Sequence, residues 1–343
     1  MGNRESSYNS MRRSHPDQPR LSVPIREIRG QTLPRTIRIT LVDAVPCGDQ
    51  WCSESSECKI TPVKNQSHFS RRDTLKLAAA AAASLSLAKG GFAEEPKKKI
   101  PIGLELYSVR AQLPLDFTGV IEAIGKMGYQ GVEFAGYARW DRKPHELRKL
   151  LDDNGLKCCG THTALDTLEG DNLKKTIELH QILGNNFLIC PNFSADSVDA
   201  WKAMAERFNK ISARAKESDM FVGYHSHAQD FKKYDGQTGW ELFFDNTVHD
   251  VIHQLDVGNT LEGGGDPIAL IKKYAGRTKS THLKEHGGAP DAPIGEGKID
   301  WKPLLETYES VGGTEWYIVE HETSSHPLVT IRECLENLHK MGR

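Results

Sequence analysis

Short apolar runs, most of them ending in a polar side chain, recur between residues 102 and 322. Each run has the length of a buried β-strand, and helix-period segments separate most of the runs. The eight strands that this pattern predicts are Ile102–Val109, Gly131–Gly136, Lys157–Thr163, Asn186–Pro191, Phe221–His227, Val251–Val257, Thr278–Glu285 and Trp316–Glu322.

The segments between the runs carry apolar residues at helical spacing. The predicted helices are Phe117–Met127, Pro144–Asn154, Leu173–Leu183, Val198–Glu217, Pro267–Tyr274, Trp301–Val311 and Pro327–His339. Asp266 and Asp300 resemble N-caps with a proline in the first turn that follows. Glycines stand where C-caps are expected, at Gly155, Gly184, Gly276 and Gly312.

This alternation predicts an α/β fold, a single-domain (β/α)8 TIM barrel that spans residues 94–343. The segment has 250 residues, which is the usual size of such a barrel. An open doubly wound sheet is the competing architecture. Its dinucleotide-binding version is disfavoured because no Gly-x-Gly-x-x-Gly motif follows the first strand.

Composition narrows the class of protein. The chain has 343 residues, of which 38% are hydrophobic and 26% are charged, as in ordinary globular proteins. The formal net charge of −2 shows no basic excess, which argues against a nucleic-acid partner. No apolar run reaches the length of a membrane span. Seven scattered cysteines are too few for a disulfide scaffold in a chain of this length.

A segment before the barrel resembles an export signal. Ser70–Lys76 (SRRDTLK) contains twin arginines, an Ala/Leu run follows, and Gly91-Phe92-Ala93 precedes Glu94. Basic, apolar and small residues in this order are typical of a signal peptide, so residues 67–93 are predicted to be one of the twin-arginine type. The alternative is an alanine-rich helix of the folded domain. The signal predicts use of the twin-arginine export machinery and a periplasmic or extracellular location. Export after folding would allow metal loading in the cytoplasm.

Residues 1–66 fit neither the signal nor the barrel. They are rich in Arg, Ser and Pro and show no clear period. The interpretation is a disordered extension or an over-extended start of the reading frame.

Four polar residues at the ends of successive predicted strands carry the functional argument. They are His225, Asp256, His282 and Glu320, separated by 31, 26 and 38 residues. Each interval is about one strand-helix unit, and the C-terminal ends of barrel strands meet at one face. Two imidazoles and two carboxylates at one point predict a divalent-metal site.

The ligand types favour Mn²⁺ or Zn²⁺, with Co²⁺ and Fe²⁺ also compatible, over Ca²⁺ and Mg²⁺. The absence of a thiolate at these positions argues against a purely structural zinc site. A metal with open positions would bind two adjacent oxygens of a hydroxy-ketone and stabilise an enediolate. A nearby base must then move the proton.

Further candidates share the inward face or end neighbouring strands. Those considered for proton transfer are Glu320, His227, Glu133 and Lys284. Those considered for substrate contact are His162, Lys284, Glu296 and Trp240. Each has a simpler alternative, since strand-end histidines are often only hydrogen-bonded and isolated tryptophans usually pack in a core.

Several motifs of the predicted barrel follow a known order. They are Gly103–Arg110 (GLELYSVR), Gly223–His227 (GYHSH) with Phe231, Leu255–Val257 (LDV), His282–Lys284 (HLK), Gly295–Asp300 (GEGKID) and Glu315–Glu320 (EWYIVE). Together they resemble the sugar phosphate isomerase/epimerase family, the xylose-isomerase-like barrels, over about residues 101–340. The motifs are specific for the superfamily and carry little information on the substrate.

The resemblance implies a (β/α)8 barrel, one divalent metal, commonly Mn²⁺ or Zn²⁺, and a sugar, ketose or inositol-derived substrate. By position, Asp256, His282 and Glu320 match family metal ligands. His225 stands where many ketose epimerases of the family have a glutamate that pairs with the other ligand glutamate as acid and base. Only Glu320 remains of that pair, so a mechanism with two carboxylates is in question.

The leading interpretation is therefore a metal-dependent isomerase or epimerase of a small sugar or keto-sugar. The alternative is a lyase or hydrolase that acts on a keto-sugar or keto-glycoside through the same metal site. A non-catalytic sugar-binding protein and a DNA-repair endonuclease are further hypotheses. The endonuclease is opposed by the predicted export and by the absence of an acidic ligand after Cys190 on the fourth strand. The sequence carries no signal on oligomeric state.

Overall fold

The computed structural model describes residues 99–343. Within that range one sheet contains eight parallel strands: β1 Ile102–Glu105, β2 Gly131–Phe134, β3 Lys157–His162, β4 Phe187–Cys190, β5 Phe221–His225, β6 Ile252–Gln254, β7 Ser280–Leu283 and β8 Trp316–Val319. Their spatial order is β6-β5-β4-β3-β2-β1-β8-β7. A parallel bridge between Asp256 and His282 joins the two edge strands, so the barrel is nearly closed. The predicted TIM barrel is confirmed.

Nine α-helices lie within residues 99–343: α1 Phe117–Met127, α2 Pro144–Asp153, α3 Gly170–Leu183, α4 Val198–Lys216, α5 Gly239–Phe244, α6 Val257–Glu262, α7 Pro267–Lys273, α8 Trp301–Thr307 and α9 Pro327–Lys340. The longer helices bury one apolar stripe against the strands, as Val120, Ile121 and Ile124 do in α1. None of the helices in residues 99–343 is long and apolar enough to cross a membrane.

The interior of the barrel has an apolar layer beneath a polar one. The apolar layer consists of Phe187, Ile189 and Ile252, with Phe221 and Trp316 packed against them. Gly103 and Gly223 make room for it, because a Cβ atom would lie 2.6 Å from Cys159 Sγ and 2.7 Å from Ile189 Cδ1, respectively. Polar side chains occupy the C-terminal ends of the strands, where TIM barrels carry their active sites.

All eight predicted strands are present, although most are shorter than predicted. β6 ends at Gln254 and β8 at Val319, one or two residues before the ligand candidates that follow them. Asp266 is confirmed as an N-cap, because its carboxylate accepts a hydrogen bond from Ala269 N at 3.0 Å. Asp300 precedes α8 without such a bond.

One predicted helix end is wrong. Gly312 lies inside a five-residue π-helical segment, Tyr308–Gly312, that continues α8. The left-handed cap is Gly313, with φ +69°. Gly184 caps α3 in that conformation, as predicted, with φ +72°.

The predicted signal peptide, residues 67–93, and the extension, residues 1–66, lie outside the described residues.

Candidate metal centre and active site

The four predicted metal ligands come together at the C-terminal face. His225 ends β5, Asp256 follows β6, His282 lies in β7 and Glu320 follows β8. One ligand atom from each lies within 4.8 Å of the others. All four side chains are buried, with at most 4% of any residue exposed. The structure thus assembles the two-imidazole, two-carboxylate set that the spacing predicted.

His282 is held between two carboxylates. Its Nδ1 lies 2.6 Å from Glu320 Oε2 and its Nε2 lies 2.7 Å from Glu133 Oε2. A histidine that binds a metal through one nitrogen commonly donates the other N–H to a carboxylate, which fixes the ring. Nδ1 faces the ligand set, so Glu133 is the orienting partner of Nε2. Both oxygens of Glu133 are engaged within the barrel, which favours positioning of His282; proton transfer to the substrate by Glu133 stays a prediction.

Gln254 connects this ligand set to β2 and β3. Its Nε2 donates to both oxygens of Glu133, at 3.0 and 3.1 Å, and to Ser280 Oγ at 3.0 Å. Its Oε1 lies 2.9 Å from His162 Nε2 and 3.1 Å from His225 Nδ1. Because an amide oxygen only accepts, both histidines donate at these atoms. His225 therefore keeps the lone pair on Nε2 for a metal.

Asp256 provides the test of whether a cation fits. Its Oδ1 accepts from Asn259 N at 2.6 Å, whereas the buried Oδ2 has no hydrogen-bond partner within residues 99–343. Oδ2 lies 4.0 Å from His282 Nδ1. Burial raises the pKa of this carboxyl to about 7, although the charge of Lys284 opposes the rise. A buried carboxylate oxygen without a partner is costly, and a cation would satisfy it. The donor set suits Mn²⁺, Zn²⁺, Fe²⁺ or Co²⁺.

The charged forms of His282 and Glu320 stabilise each other. Burial opposes the charged form of His282, yet its hydrogen bonds to Glu133 and Glu320 outweigh burial and hold its pKa well above the ordinary value. Burial likewise opposes ionisation of Glu320, but the hydrogen bond from His282 outweighs it and holds the pKa of Glu320 well below the ordinary value. Metal binding through Nδ1 of His282 would therefore require release of the proton that this nitrogen carries.

Glu105 was left without an interpretation by the sequence, and it lies on the floor of this site. Its ligand atom lies within 4.8 Å of those of Glu133, His162 and His282. Oε1 accepts from Tyr107 N at 3.1 Å, and Oε2 has no partner within residues 99–343. Burial and the charge of Glu133 raise the pKa of Glu105 well above its ordinary value.

The rim of the site carries two further predicted residues. His227 is half-buried, its ring lies 5.0 Å from that of His225, and its buried Nδ1 has no partner within the described range. Burial lowers the pKa of His227, so its ring is neutral near pH 7. Lys284 donates to Asn259 Oδ1 at 2.9 Å and pairs with Glu322. Burial opposes its charge, but neighbouring carboxylates outweigh burial and raise its pKa.

This fold and this site match a known family. Residues 121–341 match the model of the xylose isomerase-like TIM barrel. The chain belongs to this family. The resemblance inferred from the motifs is thereby confirmed.

Two curated relatives in the comparison are inosose dehydratases. That of Clostridium perfringens (strain ATCC 13124) is 29% identical over 147 residues, which cover 36% of this chain and 48% of the relative. That of Klebsiella pneumoniae (strain 342) is 24% identical over 253 residues, which cover 60% of this chain and 82% of the relative. The chain spans about half the length of the first curated relatives it matches.

Among solved structures, a sugar phosphate isomerase/epimerase from Parabacteroides distasonis ATCC 8503 has a TM-score of 0.63 at 22% identity. The alignment covers 71% of this chain and 97% of that one. At this identity the likeness shows the fold.

Two predicted substrate contacts of this xylose isomerase-like barrel lie away from the ligand cluster. Trp240 is fully buried in an aromatic core, and its Nε1 donates to His253 Nε2 at 2.8 Å. No face of its ring is open to a sugar, so the structure corrects this prediction to packing. Glu296 is exposed in the loop after β7. That loop is organised by Glu285, whose Oε2 accepts from Gly295 N at 2.6 Å and Trp301 Nε1 at 2.8 Å.

The remaining predicted contact, His162, stays at the site. It ends β3, and its ring is stacked on that of His282, with 5.2 Å between centroids and 8° between planes. Gln254 was not among the site residues predicted from the sequence. The signal that would have identified it is its position two residues before a ligand on an inward-facing strand.

Proposed function

We propose that this protein is a divalent-metal-dependent isomerase or epimerase of a small sugar or keto-sugar. It removes the proton next to a carbonyl group of the substrate, which yields an enediolate. The observation that carries this proposal is the buried cluster of His225, Asp256, His282 and Glu320 at the C-terminal face of the barrel. Membership of the xylose isomerase-like family supports it.

The metal that we propose, Mn²⁺ or Zn²⁺, would polarise the substrate carbonyl and acidify the adjacent C–H. His225, Asp256, His282 and Glu320 would hold it. Glu320 is ionised, and its Oε2 is hydrogen-bonded to His282. We therefore assign the other carboxylate oxygen, Oε1, as the base that accepts the C–H proton. The ammonium of Lys284 is charged and close to both ligand carboxylates, so it stabilises negative charge that develops on the substrate.

The reaction needs a second protein group that transfers a proton to or from the substrate. His227 is neutral, lies beside His225 and has an unpartnered Nδ1, so we assign it this role. A neutral imidazole accepts one proton and returns it to a second carbon or oxygen. With His227 as the second group, proton transfer does not depend on a glutamate at position 225, where this chain has a histidine.

A second candidate function is elimination across a keto-sugar or keto-glycoside. Two observations favour it. His225 replaces one carboxylate of the epimerase pair, and the curated relatives described above are dehydratases. Loss of the proton from the carbon next to the carbonyl and departure of a β-oxygen substituent would give an enone, with His227 or Lys284 protonating the leaving oxygen.

The two reactions are separated by NMR in D₂O with the metal-loaded protein and a panel of ketoses, keto-sugars and keto-glycosides. Isomerisation or epimerisation incorporates deuterium at carbon and conserves every substituent. Elimination releases water or an alcohol. We expect Glu320→Gln to lower kcat by about 10²- to 10⁴-fold, whereas the exposed Glu306→Gln leaves it unchanged.

Turnover that survives Glu320→Gln would contradict the assignment of the base. Absence of both exchange and product across the whole panel would contradict enzymatic action on these substrates and favour a binding protein.

A further inference from the structure

A cavity lies beyond the C-terminal ends of β4 and β5, outside the cluster of candidate metal ligands. It has a volume of about 570 Å³ and is formed by the loop after β4 and the segment after β5. Its lining includes Phe193, Trp201, Tyr234, Asp196, Gln229 and Lys232. None of these residues belongs to the ligand cluster or to the rim residues described above.

A short turn connects this cavity to the site. Gln229 and Asp230 line the cavity and belong to the turn Ala228–Phe231, which follows His227 directly. Asp230 is buried and accepts from His227 N at 2.8 Å and from the hydroxyl of Tyr224 at 3.0 Å. The turn is therefore rigidly tied to β5, and a ligand that contacts it lies next to the proton-transfer histidine.

The lining combines aromatic surfaces with hydrogen-bonding groups. Trp201 is 2% exposed, and its buried Nε1 has no hydrogen-bond partner within residues 99–343. Tyr234 is half-buried and its hydroxyl donates to Ala195 O at 3.4 Å, which connects the two walls. Phe193 is half-buried and stacks on Tyr224 at 4.2 Å. Aromatic walls with a few fixed polar groups are typical of small-molecule sites of about 300–1,000 Å³.

The charges of the lining disfavour an anionic occupant. Asp196 and Lys232 are the exposed charged residues of the lining, whereas Asp230 is buried and burial raises its pKa to about 7. The ammonium of that lysine lies 5.3 Å from the ring centroid of Tyr234. A phosphate group would meet carboxylates here in place of the paired Arg or Lys donors that such groups usually require. A neutral polyhydroxylated ring satisfies both the aromatic and the polar parts of the lining.

We propose that this cavity is a carbohydrate subsite, which holds a second sugar ring while the metal centre holds the reacting one. The proposal rests on the proposed function and deepens it, because it assigns the substrate to the glycosides, with at least two rings. The loop after β4 and the side chain of Tyr234 would then select for the second ring.

The test compares Tyr234→Ala and Gln229→Ala in the full-length chain. The matched control is Lys233→Ala, an exposed neighbour outside the lining. Isothermal titration with maltose, cellobiose, lactose and their component monosaccharides measures binding without turnover. The keto forms of the same sugars provide kcat/KM.

We expect both lining variants to lower disaccharide affinity and kcat/KM by about three- to tenfold. Values for the monosaccharides, and all values for the control, remain unchanged.

Equal effects on disaccharides and monosaccharides, or no effect on either, would overturn the subsite while leaving the proposed function intact if keto-monosaccharides are turned over. Disaccharide binding that depends on Tyr234 without turnover of any keto-sugar would support the subsite and overturn the proposed function. Failure of the wild-type chain to bind or turn over any disaccharide would overturn the subsite.

Discussion

The two oxygens of Asp256 have different surroundings, and this difference leads to a prediction about metal binding. Oδ1 caps α6, whereas Oδ2 is buried without a partner among the described residues. We expect Asp256→Asn to retain the cap and to lose the negative charge that a metal would use. Added Mn²⁺ or Zn²⁺ should stabilise the wild type by about 2.7 kcal/mol at a hundredfold excess over Kd, and its Tm should rise accordingly. The Tm of the variant should not change when metal is added.

Differential scanning fluorimetry with and without a chelator measures this effect. Asp219→Asn is the control, because Asp219 is exposed and its positive φ of +56° suits asparagine equally well. A similar metal-dependent shift in Asp256→Asn would remove that residue from the ligand set.

Glu133 acts on the site through His282, so its replacement should change metal affinity rather than the fold. Glu133→Gln still accepts the hydrogen bond from Nε2 but no longer makes the ring more basic. We expect metal affinity to fall by about 10- to 100-fold. Competition with a chromophoric chelator measures the affinity, and an unchanged circular dichroism spectrum excludes unfolding. An unchanged affinity would contradict the positioning role.

The clustering of His225, Asp256, His282 and Glu320 could be predicted from the sequence because two periods combine at these residues. Alternation along a strand determines the face, and the interval between strand ends determines the height in the barrel. Neither period predicts which side-chain atoms come into contact. Glu133 was therefore considered for proton transfer although its oxygens are engaged, and Trp240 was considered for sugar contact although it packs in the core.

At the scale of the elements, the existence of strands and helices could be predicted more reliably than their ends. α1 has the predicted bounds, because its apolar spacing, the capping Asp116 and Gly128 agree. The end of α8 was missed, because adjacent glycines at 312 and 313 are equivalent in sequence and only the second adopts a positive φ. The backbone hydrogen bonds of a π-helical turn determine that Gly313, and not Gly312, is the cap, and the residue composition does not predict this turn.

The segment between α5 and β6 depends on one buried arginine. Arg277 donates to the carbonyl oxygens of Phe244, Val248 and Val251, at 3.0 to 3.2 Å. Burial lowers its pKa to about 10. We expect Arg277→Lys to lower the free energy of unfolding by about 2–4 kcal/mol, because an ammonium cannot reach all three acceptors.

Urea unfolding measures this loss. Arg214→Lys is the comparison, since Arg214 is exposed and donates to one carbonyl, that of Gly170. It should change the unfolding free energy by less than about 0.5 kcal/mol. Equal effects of the two substitutions would contradict the role assigned to Arg277.

For the whole molecule, two buried histidines outside the site make stability depend on pH. His180 and His253 are fully buried and accept hydrogen bonds from Asn185 Nδ2 and Trp240 Nε1, respectively. Burial lowers the pKa of His180 to about 3 and that of His253 well below its ordinary value. At these two histidines the unfolded chain therefore binds more protons than the folded chain below about pH 6.5.

The contribution of each histidine to the free energy of unfolding therefore falls as the pH drops below about 6.5, by up to about 1.4 kcal/mol per pH unit. Urea unfolding between pH 7 and pH 5 measures the slope. His180→Gln should have a shallower slope than the wild type, because one of the two groups no longer titrates. Parallel slopes would show that His180 is not held neutral.

The fold of the molecule followed from the sequence because strict alternation of strand and helix permits few architectures. The near closure between β6 and β7, the inner network of Gln254 and the cavity beyond β4 and β5 arise from contacts between segments far apart in the chain. No local pattern encodes these contacts. Export through residues 67–93 remains a prediction, since those residues lie outside the described range.

The seam between β6 and β7 has a consequence for how an ion enters a buried site. β6 has three residues, and the seam is formed by a single bridge, between Asp256 and His282. The other strand pairs have registers of two to four paired residues. Local opening occurs at lowest cost where a sheet has the fewest bonds. The two residues at the seam belong to the proposed ligand set, so a small fluctuation that separates the edge strands would admit a cation, and binding of the cation would hold those edges together.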